Sequence, residues 1–145
     1  MIAVDTNILV YAHRADAEFH AAAERCVRNL AESRNTWAIP WPCLHEFFAI
    51  ATHPKIYAPA TPVRTALEQV EAWLESPSLV LMTETAVHWQ ELRAVIESGR
   101  IVGAQVHDAR IAALCIQHRV RELWTVDRDF TRFPQLSVKN PLKIT

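Results

Sequence analysis

The sequence predicts an α/β fold in which helices cover both faces of a central, mainly parallel sheet. Short apolar segments alternate with longer segments in which apolar residues recur at helical spacing. The short segments contain few polar residues, as is usual for strands that are buried on both faces. Such alternation is typical of parallel strands, because each intervening helix returns the chain to the same end of the sheet.

Five apolar segments are the predicted strands, and the last of them is the weakest candidate. They cover residues 2–4, 37–39, 79–82, 123–126 and 136–138. Helical periodicity predicts six helices between them. These cover residues 8–13, 17–33, 43–52, 63–75, 85–98 and 109–118. Asp16 is the expected N-cap of the second helix, and Gly99 is expected just beyond the end of the fifth.

Length and cysteine content indicate one small domain in a reducing compartment. The 145 residues fit a single domain, residues 1–145. Cys26, Cys43 and Cys115 are odd in number and far apart, which favours reduced thiols in a cytoplasmic protein. No apolar run approaches the ~18 residues of a membrane span, and no basic segment precedes the apolar start of the chain. We therefore expect neither a membrane anchor nor a signal peptide.

Charge, glycine content and one broken motif exclude several functional classes. The net charge of −1 argues against nonspecific coating of nucleic acid, although it leaves room for a local basic patch. Gly99 and Gly103 are the only glycines and lie in one loop, so neither a Walker loop nor a dinucleotide fingerprint can form. His45 and Glu46 begin the zinc-protease pattern His-Glu-x-x-His, but Ala49 stands where the second histidine is required.

Acidic residues stand at several places that could face the carboxyl edge of the predicted sheet. Asp5, Asp127 and Asp129 follow predicted strands, and Asp108 opens a predicted helix. Taken singly, each is explained by helix capping or an Asx turn. Glu46 lies at the edge of the apolar face of its helix, where a surface glutamate is also ordinary. Together they predict a site, because ligands of parallel sheets bind beyond the carboxyl ends of the strands.

A convergence of these carboxylates would have a definite chemistry. Carboxylates crowded in a partly dry cleft repel one another, so they persist only when some are protonated or when cations neutralise them. Ligand sets made only of oxygen favour Mg²⁺ or Mn²⁺ over zinc. Such ions can activate a water molecule and stabilise the leaving oxygen of a phosphodiester. The pattern therefore favours metal-dependent hydrolysis.

Four short motifs resemble those of the PIN-domain family. They are Val4-Asp5-Thr6-Asn7, Leu44-His45-Glu46-Phe47, Asp108 with the following Ile111-Ala112-Ala113, and Thr125-Val126-Asp127-Arg128-Asp129-Phe130. Their order and spacing are most similar to the VapC-type toxins of bacterial toxin–antitoxin pairs. The resemblance implies a three-layer α/β/α sandwich and a Mg²⁺- or Mn²⁺-dependent endoribonuclease that cuts RNA by water attack. It also implies a homodimer and a cognate, VapB-like antitoxin that occludes the site.

The resemblance assigns roles to the acids. Asp5, Glu46, Asp108 and Asp127 match the catalytic quartet of the family, and Asp129 falls where some members have a further acid. Asp5 and Asp108 would be direct metal ligands, while Asp127 or Asp129 would complete the coordination or hold a second ion. Glu46 would bind metal or accept a proton from the attacking water.

Further residues are expected to orient the acids or to contact substrate. By the same resemblance, Thr6, Asn7 and Thr125 would orient carboxylates or waters at the metal. Four arginines lie near the acids in sequence and are candidates for holding phosphates, with a surface salt bridge as the alternative for each. These are Arg14, Arg110, Arg128 and Arg132.

Two other functions fit the same residues. A Mg²⁺-dependent phosphatase or a DNA flap nuclease would use a similar acidic sheet, but would act on monoesters or branched DNA and leave single-stranded RNA intact. A catalytically weak, antitoxin-binding module would mainly pair with a partner. The presence of Asp5, Glu46 and Asp108 argues against the second alternative, because a vestigial site tends to lose its acids.

Overall fold

The computed structural model describes residues 1–143 as five strands surrounded by six α-helices. The strands are β1 (Ile2–Val4), β2 (Trp37–Pro40), β3 (Leu79–Met82), β4 (Glu122–Trp124) and β5 (Val138–Lys139). The helices are α1 (Thr6–His13), α2 (His20–Glu32), α3 (Trp41–Ala51), α4 (Val63–Leu74), α5 (His88–Gly99) and α6 (Val106–Gln117). Within residues 1–143, no helix is long and apolar enough to cross a membrane.

The five strands form one parallel sheet in the order β3-β2-β1-β4-β5. β1 is central, and its residues Ile2, Ala3 and Val4 lie opposite Glu122, Leu123 and Trp124 of β4. The parallel arrangement confirms the prediction and places the carboxyl ends of all strands at one edge. The segments after β1 and β4 are therefore neighbours, although they are far apart in sequence.

Helices cover both faces of the sheet, which confirms the three-layer α/β/α sandwich. α1 packs against α2 and α3, while α5 packs against α6. Val4, Ile39 and Leu123 of the inner strands are fully buried, and so is Leu114 of α6. Each such side chain stabilises the fold by roughly 1.5–3 kcal/mol relative to an exposed one. The buried sheet thus supplies a rigid base for the segments at its edge.

Two predicted helix ends were wrong. α2 begins at His20 with Phe19 at the N-cap position, because the carboxylate of Asp16 instead forms an ion pair with Arg14 at 2.7 Å. α5 includes Gly99, and Arg100 takes the left-handed conformation beyond it, with φ of 51°. Gly99 is explained by packing: a Cβ there would lie 3.1 Å from Ile101 Cδ1 and 3.2 Å from Phe133 Cε1.

The start of α6 also differs from the prediction. A 3-10 turn at Gly103–Gln105 leads into the helix, which begins at Val106, two residues before Asp108. Asp108 therefore lies in the first helical turn and does not cap the helix. This difference matters for function, because capping was the alternative explanation for Asp108. The remaining bounds differ from prediction by a few residues, as at β4, which ends at Trp124, and at β5, which begins at Val138.

Candidate active site

The site lies at the carboxyl edge of the sheet, where β1 and β4 end side by side. Asp5 directly follows β1, and its backbone N–H donates to the carbonyl of Trp124 at 3.0 Å. Thr125 directly follows β4. The polar side chains after both strands thus meet above the centre of the sheet.

The carboxylate of Asp5 is buried, with 5% of the residue exposed, and is held by several donors. Its Oδ1 accepts from the backbone N–H of Thr6 at 2.8 Å, so that Asp5 caps α1, and from the thiol of Cys43 at 3.5 Å. Its Oδ2 accepts from the Thr125 hydroxyl at 2.7 Å and from the Asn7 amide at 3.3 Å. Burial raises the pKa of Asp5, while the hydrogen bonds from Thr125 and Thr6 act in the opposite direction.

Thr125 connects the two strand ends. Besides donating to Asp5, its hydroxyl oxygen accepts from the Asn7 amide at 3.1 Å and from the backbone N–H of Asp127 at 3.0 Å. The Asn7 side-chain oxygen in turn accepts from the backbone N–H of Val126 at 3.3 Å. These contacts fix the path of the chain between β4 and Asp127. They are what the orienting role proposed for Asn7 and Thr125 requires.

Three carboxylates form a tighter group, which we call the acidic trio: Asp108, Asp127 and Asp129. One carboxylate oxygen of each lies within 4.8 Å of those of the other two. Asp127 and Asp129 belong to a 3-10 turn, where Asp127 Oδ1 accepts from the backbone N–H of Asp129 at 2.8 Å. Asp108 comes from the first turn of α6. The trio therefore joins a strand end to a helix start.

Asp108 is the member of the trio on which burial and neighbouring charges act together. Among residues 1–143, no hydrogen bond to its carboxylate is found, and it is half-buried. Burial, followed by the negative charges of Asp127, Asp5, Asp129 and Glu46, raises the pKa of Asp108 to about 6. The other four predicted acids therefore all act electrostatically on Asp108, although Asp5 and Glu46 lie outside the trio.

Glu46 projects from α3 beside this group. Its side chain is exposed, and Oε2 accepts from the Thr6 hydroxyl at 3.1 Å. Thr6 thus holds Asp5 through its backbone N–H and Glu46 through its side chain. The orienting role proposed for Thr6 has this geometric basis.

The donor set of the acidic trio fits a hard divalent cation. Three carboxylate oxygens face one another, and no lysine or arginine of the described chain forms an ion pair with them. Burial, followed by the charges of the neighbouring carboxylates, raises the pKa of Asp108, and a bound cation would counter both effects. Oxygen ligands of this kind suit Mg²⁺ or Mn²⁺.

The predicted arginines have different surroundings. Arg14 lies at the end of α1 away from Asp5, where it pairs with Asp16 and stacks on Tyr57 with its guanidinium carbon 4.3 Å from the ring centroid. Arg110 pairs with Glu84 at 2.6 Å. The salt-bridge alternative therefore describes Arg14 and Arg110. Arg128 is exposed and stands between Asp127 and Asp129 in the sequence. Arg132 has a buried Nε without a hydrogen-bond partner within residues 1–143.

Sequence reasoning missed two features of the site. Cys43 was predicted only to be a reduced thiol, but burial keeps the pKa of this thiol high, so that it is a protonated donor to Asp5. The second feature is a cleft of about 360 Å³, the α3–α6 cleft, beside Glu46 and Asp108. Its other walls are Pro42, His45 and Ala49 of α3 and His107, Arg110 and Ile111 of α6. The cleft depends on the packing of two helices that are distant in sequence, so no local pattern signals it.

Comparison with known proteins shows which family has this arrangement of strands and helices. A PIN domain is recognised over residues 2–136. Ribonuclease VapC43 of Mycobacterium tuberculosis is 30% identical over 142 residues, which cover 98% of this chain and 96% of that protein. Ribonuclease VapC37 of the same species is 31% identical over 130 residues, or 90% of each chain.

Solved structures show the same fold at lower identity. The crystal structure of VapBC2 from Rickettsia felis bound to a DNA fragment from its promoter contains a chain with a TM-score of 0.66 and 24% identity. The match covers 96% of this chain and 98% of that one. VapC20 of Mycobacterium tuberculosis, a toxin that cleaves the sarcin-ricin loop, has a TM-score of 0.65 and 18% identity, with 90% and 93% covered. The chain belongs to the PIN-domain family and is of the VapC type within it.

Proposed function

We propose that this protein is a metal-dependent endoribonuclease that acts as the toxin of a toxin–antitoxin pair. The observation that carries the proposal is the acidic trio, with its oxygens within 4.8 Å of one another, at the carboxyl edge of a PIN-domain sheet. The relatives that cover nearly the whole chain are named ribonucleases, which supports hydrolysis of RNA.

The acidic trio and Asp5 together would hold the cation. Asp108, Asp127 and Asp129 would hold Mg²⁺ or Mn²⁺ directly, and Asp5 would join them from the end of β1. Asp5 already accepts hydrogen bonds on both oxygens, so it would share its oxygens between these donors and the ion. A bound cation would neutralise the carboxylates and stabilise the charge that develops on the phosphodiester.

The remaining residues would position water and RNA. Glu46 is exposed and oriented by Thr6, so its free oxygen can accept a proton from water as that water attacks phosphorus. The bond from phosphorus to the leaving oxygen then breaks. Arg128 lies beside Asp127 and Asp129 and can hold a neighbouring phosphate. Single-stranded or looped RNA is the expected substrate, because its backbone and bases are accessible.

Incubation with RNA tests this function. Purified wild-type protein should cleave total RNA with Mg²⁺ or Mn²⁺, and EDTA should abolish the cleavage. Asp5→Asn and Asp108→Asn should lower the rate at least about a hundredfold, a loss typical of removing one group of a catalytic constellation. Asp16→Asn is the matched control, because Asp16 is exposed and lies away from the site.

Several outcomes would contradict the proposal. Cleavage that persists in EDTA would exclude the role of the metal. Hydrolysis of phosphate monoesters or branched DNA with single-stranded RNA left intact would favour a phosphatase or a flap nuclease. Cation binding without turnover of any of these substrates would favour a binding module.

The same proposal includes partners and location. Structural neighbours include VapBC complexes from Salmonella typhimurium and nontypeable Haemophilus influenzae. We expect a cognate VapB-like antitoxin that covers the site, a homodimer in solution and a cytoplasmic location, where the free thiols of Cys26, Cys43 and Cys115 would stay reduced. Light scattering of the isolated protein checks the dimer, and a monomer at micromolar concentration would contradict it.

A further inference from the structure

We propose that the α3–α6 cleft binds one base of the RNA strand and thereby selects where the strand is cut. This inference rests on the proposed ribonuclease function and adds a specificity subsite to it. The cleft has a volume of about 360 Å³, at the lower end of the range for small-molecule sites. Glu46 and Asp108 form part of its wall, so whatever occupies it lies next to the acids.

The composition of the walls matches the faces of a base. Pro42, Ala49 and Ile111 offer apolar surface, which suits the flat faces of a heterocycle. His45 adds an aromatic ring, and its imidazole also packs against Trp41 with centroids 6.1 Å apart and ring planes inclined by 34°. Trp41 therefore restricts the orientation of His45 before any ligand arrives. A base that stacks on an aromatic ring held in this way gains roughly a fivefold or larger increase in affinity.

The polar rim offers groups for the edges of a base. Arg110 and His107 line the cleft on the α6 side. Glu84 engages Arg110 through Nε at 2.8 Å and Nη2 at 2.6 Å, which fixes the plane of the guanidinium. Its Nη1 has no hydrogen-bond partner within residues 1–143, so that nitrogen remains available for a base oxygen or ring nitrogen.

A base is a better occupant of the cleft than a phosphate. Glu46 and Asp108 add negative charge to the wall, and Glu84 already offsets the positive charge of Arg110. The cleft therefore lacks an excess of positive charge that would attract a phosphate. Apolar walls and a few fixed polar groups are the usual means of recognising a flat heterocycle.

The test compares cleavage-site preferences of variants that alter the cleft. Ala49→Trp would fill the cleft from an exposed position of α3, and His45→Ala would remove the aromatic wall. Ala72→Trp makes the same large substitution at an exposed position of α4, outside the cleft, and is the matched control. Each protein is incubated with a randomised single-stranded RNA and Mn²⁺, and the new ends are sequenced. The rise in melting temperature with Mn²⁺ reports separately that the acids still bind the ion.

The proposal expects a change in where the RNA is cut. Base frequencies at one position beside the cut should change about fivefold or more in Ala49→Trp and His45→Ala, with the Mn²⁺-dependent rise in melting temperature retained. Ala72→Trp should match wild type. Unchanged base frequencies in both cleft variants would overturn the proposal, and so would a complete loss of cleavage in both, because a base subsite selects the position of the cut.

The remaining outcomes distinguish a failure of the base subsite from a failure of the proposed ribonuclease function. If wild-type protein fails to cut the RNA, the ribonuclease function is overturned together with the subsite. If wild type cuts with a base preference that the cleft variants share, only the subsite is overturned. A third outcome would also overturn the base subsite: the cleft variants cut RNA as wild type does but are inhibited less by an antitoxin. The cleft would then bind a protein segment.

Discussion

Asp5 and Asp108 are carboxylates of one site that are held in opposite ways. Asp5 is buried, and the hydrogen bonds that it accepts from Thr6, Asn7, Cys43 and Thr125 offset part of the cost of burying its charge. Asp108 is half-buried, and burial followed by the charges of neighbouring carboxylates disfavours its ionised form. A bound cation would therefore relieve the repulsion between Asp108 and its neighbouring carboxylates.

The pKa of Asp108 gives a pH dependence of stability. It is raised to about 6, above the ~3.9 of an unfolded aspartate, so between these values the native state binds more protons than the unfolded state. In EDTA, stability should therefore fall as pH rises from about 4 to about 7. The cost is of order 1 kcal/mol after allowance for solvent screening of a half-exposed group.

Asp108→Asn checks this prediction. The amide does not ionise, so urea unfolding in EDTA at pH 7.5 should show the variant as stable as wild type or more stable, and the difference should shrink towards pH 4. Added Mg²⁺ should raise the melting temperature of wild type but not that of the variant. An equal rise in both proteins would count against Asp108 as a ligand.

Among the elements of the fold, the segment between α5 and α6 contains a residue in an unfavourable backbone conformation. Arg100 takes φ of 51° just after the last residue of α5, a conformation that glycine adopts more readily. The glycine of this turn stands one residue earlier, where a Cβ would crowd Ile101 and Phe133. The chain thus places its glycine for packing and leaves the left-handed position to an arginine.

Arg100→Gly should stabilise the protein. Glycine adopts the left-handed conformation at a lower steric cost than arginine, so the substitution is expected to raise the free energy of unfolding by up to about 1 kcal/mol. Ala94→Gly, at an exposed position inside α5, is the control and should lower it by about 1 kcal/mol. Chemical denaturation of the three proteins measures both effects. A loss of stability in Arg100→Gly would contradict the prediction, because it would mean that contacts of the Arg100 side chain stabilise the protein by more than its backbone conformation costs.

At the scale of the whole molecule, strand ends were predictable but the packing between distant helices was not. β1 and β3 match the sequence prediction, because short apolar runs bounded by polar residues are strong strand signals. Parallel order then places Asp5 beside Thr125. The convergence of the acids therefore follows from local patterns together with the topology.

The finer arrangement of the site depends on how α6 packs on the sheet. That packing groups Asp108 with Asp127 and Asp129 and leaves Asp5 outside the trio, although Asp5 and Asp108 were both predicted to be direct metal ligands. It also forms the cleft between His45 and His107. Neither feature has a local sequence signal, because each depends on side-chain distances between segments far apart along the chain.

We propose that the carboxylates from separate segments form one site for a divalent cation. Calorimetric titration of wild-type protein with Mn²⁺ at pH 7.5 tests it most directly, with Asp108→Asn as the site variant and Asp16→Asn as the control. We predict that wild type and Asp16→Asn bind the ion alike and that Asp108→Asn binds it at least about tenfold more weakly, the order of loss expected on removing one charged ligand. Equal affinity in all three proteins would show that Asp108 does not bind the ion and that the carboxylates do not form a shared site.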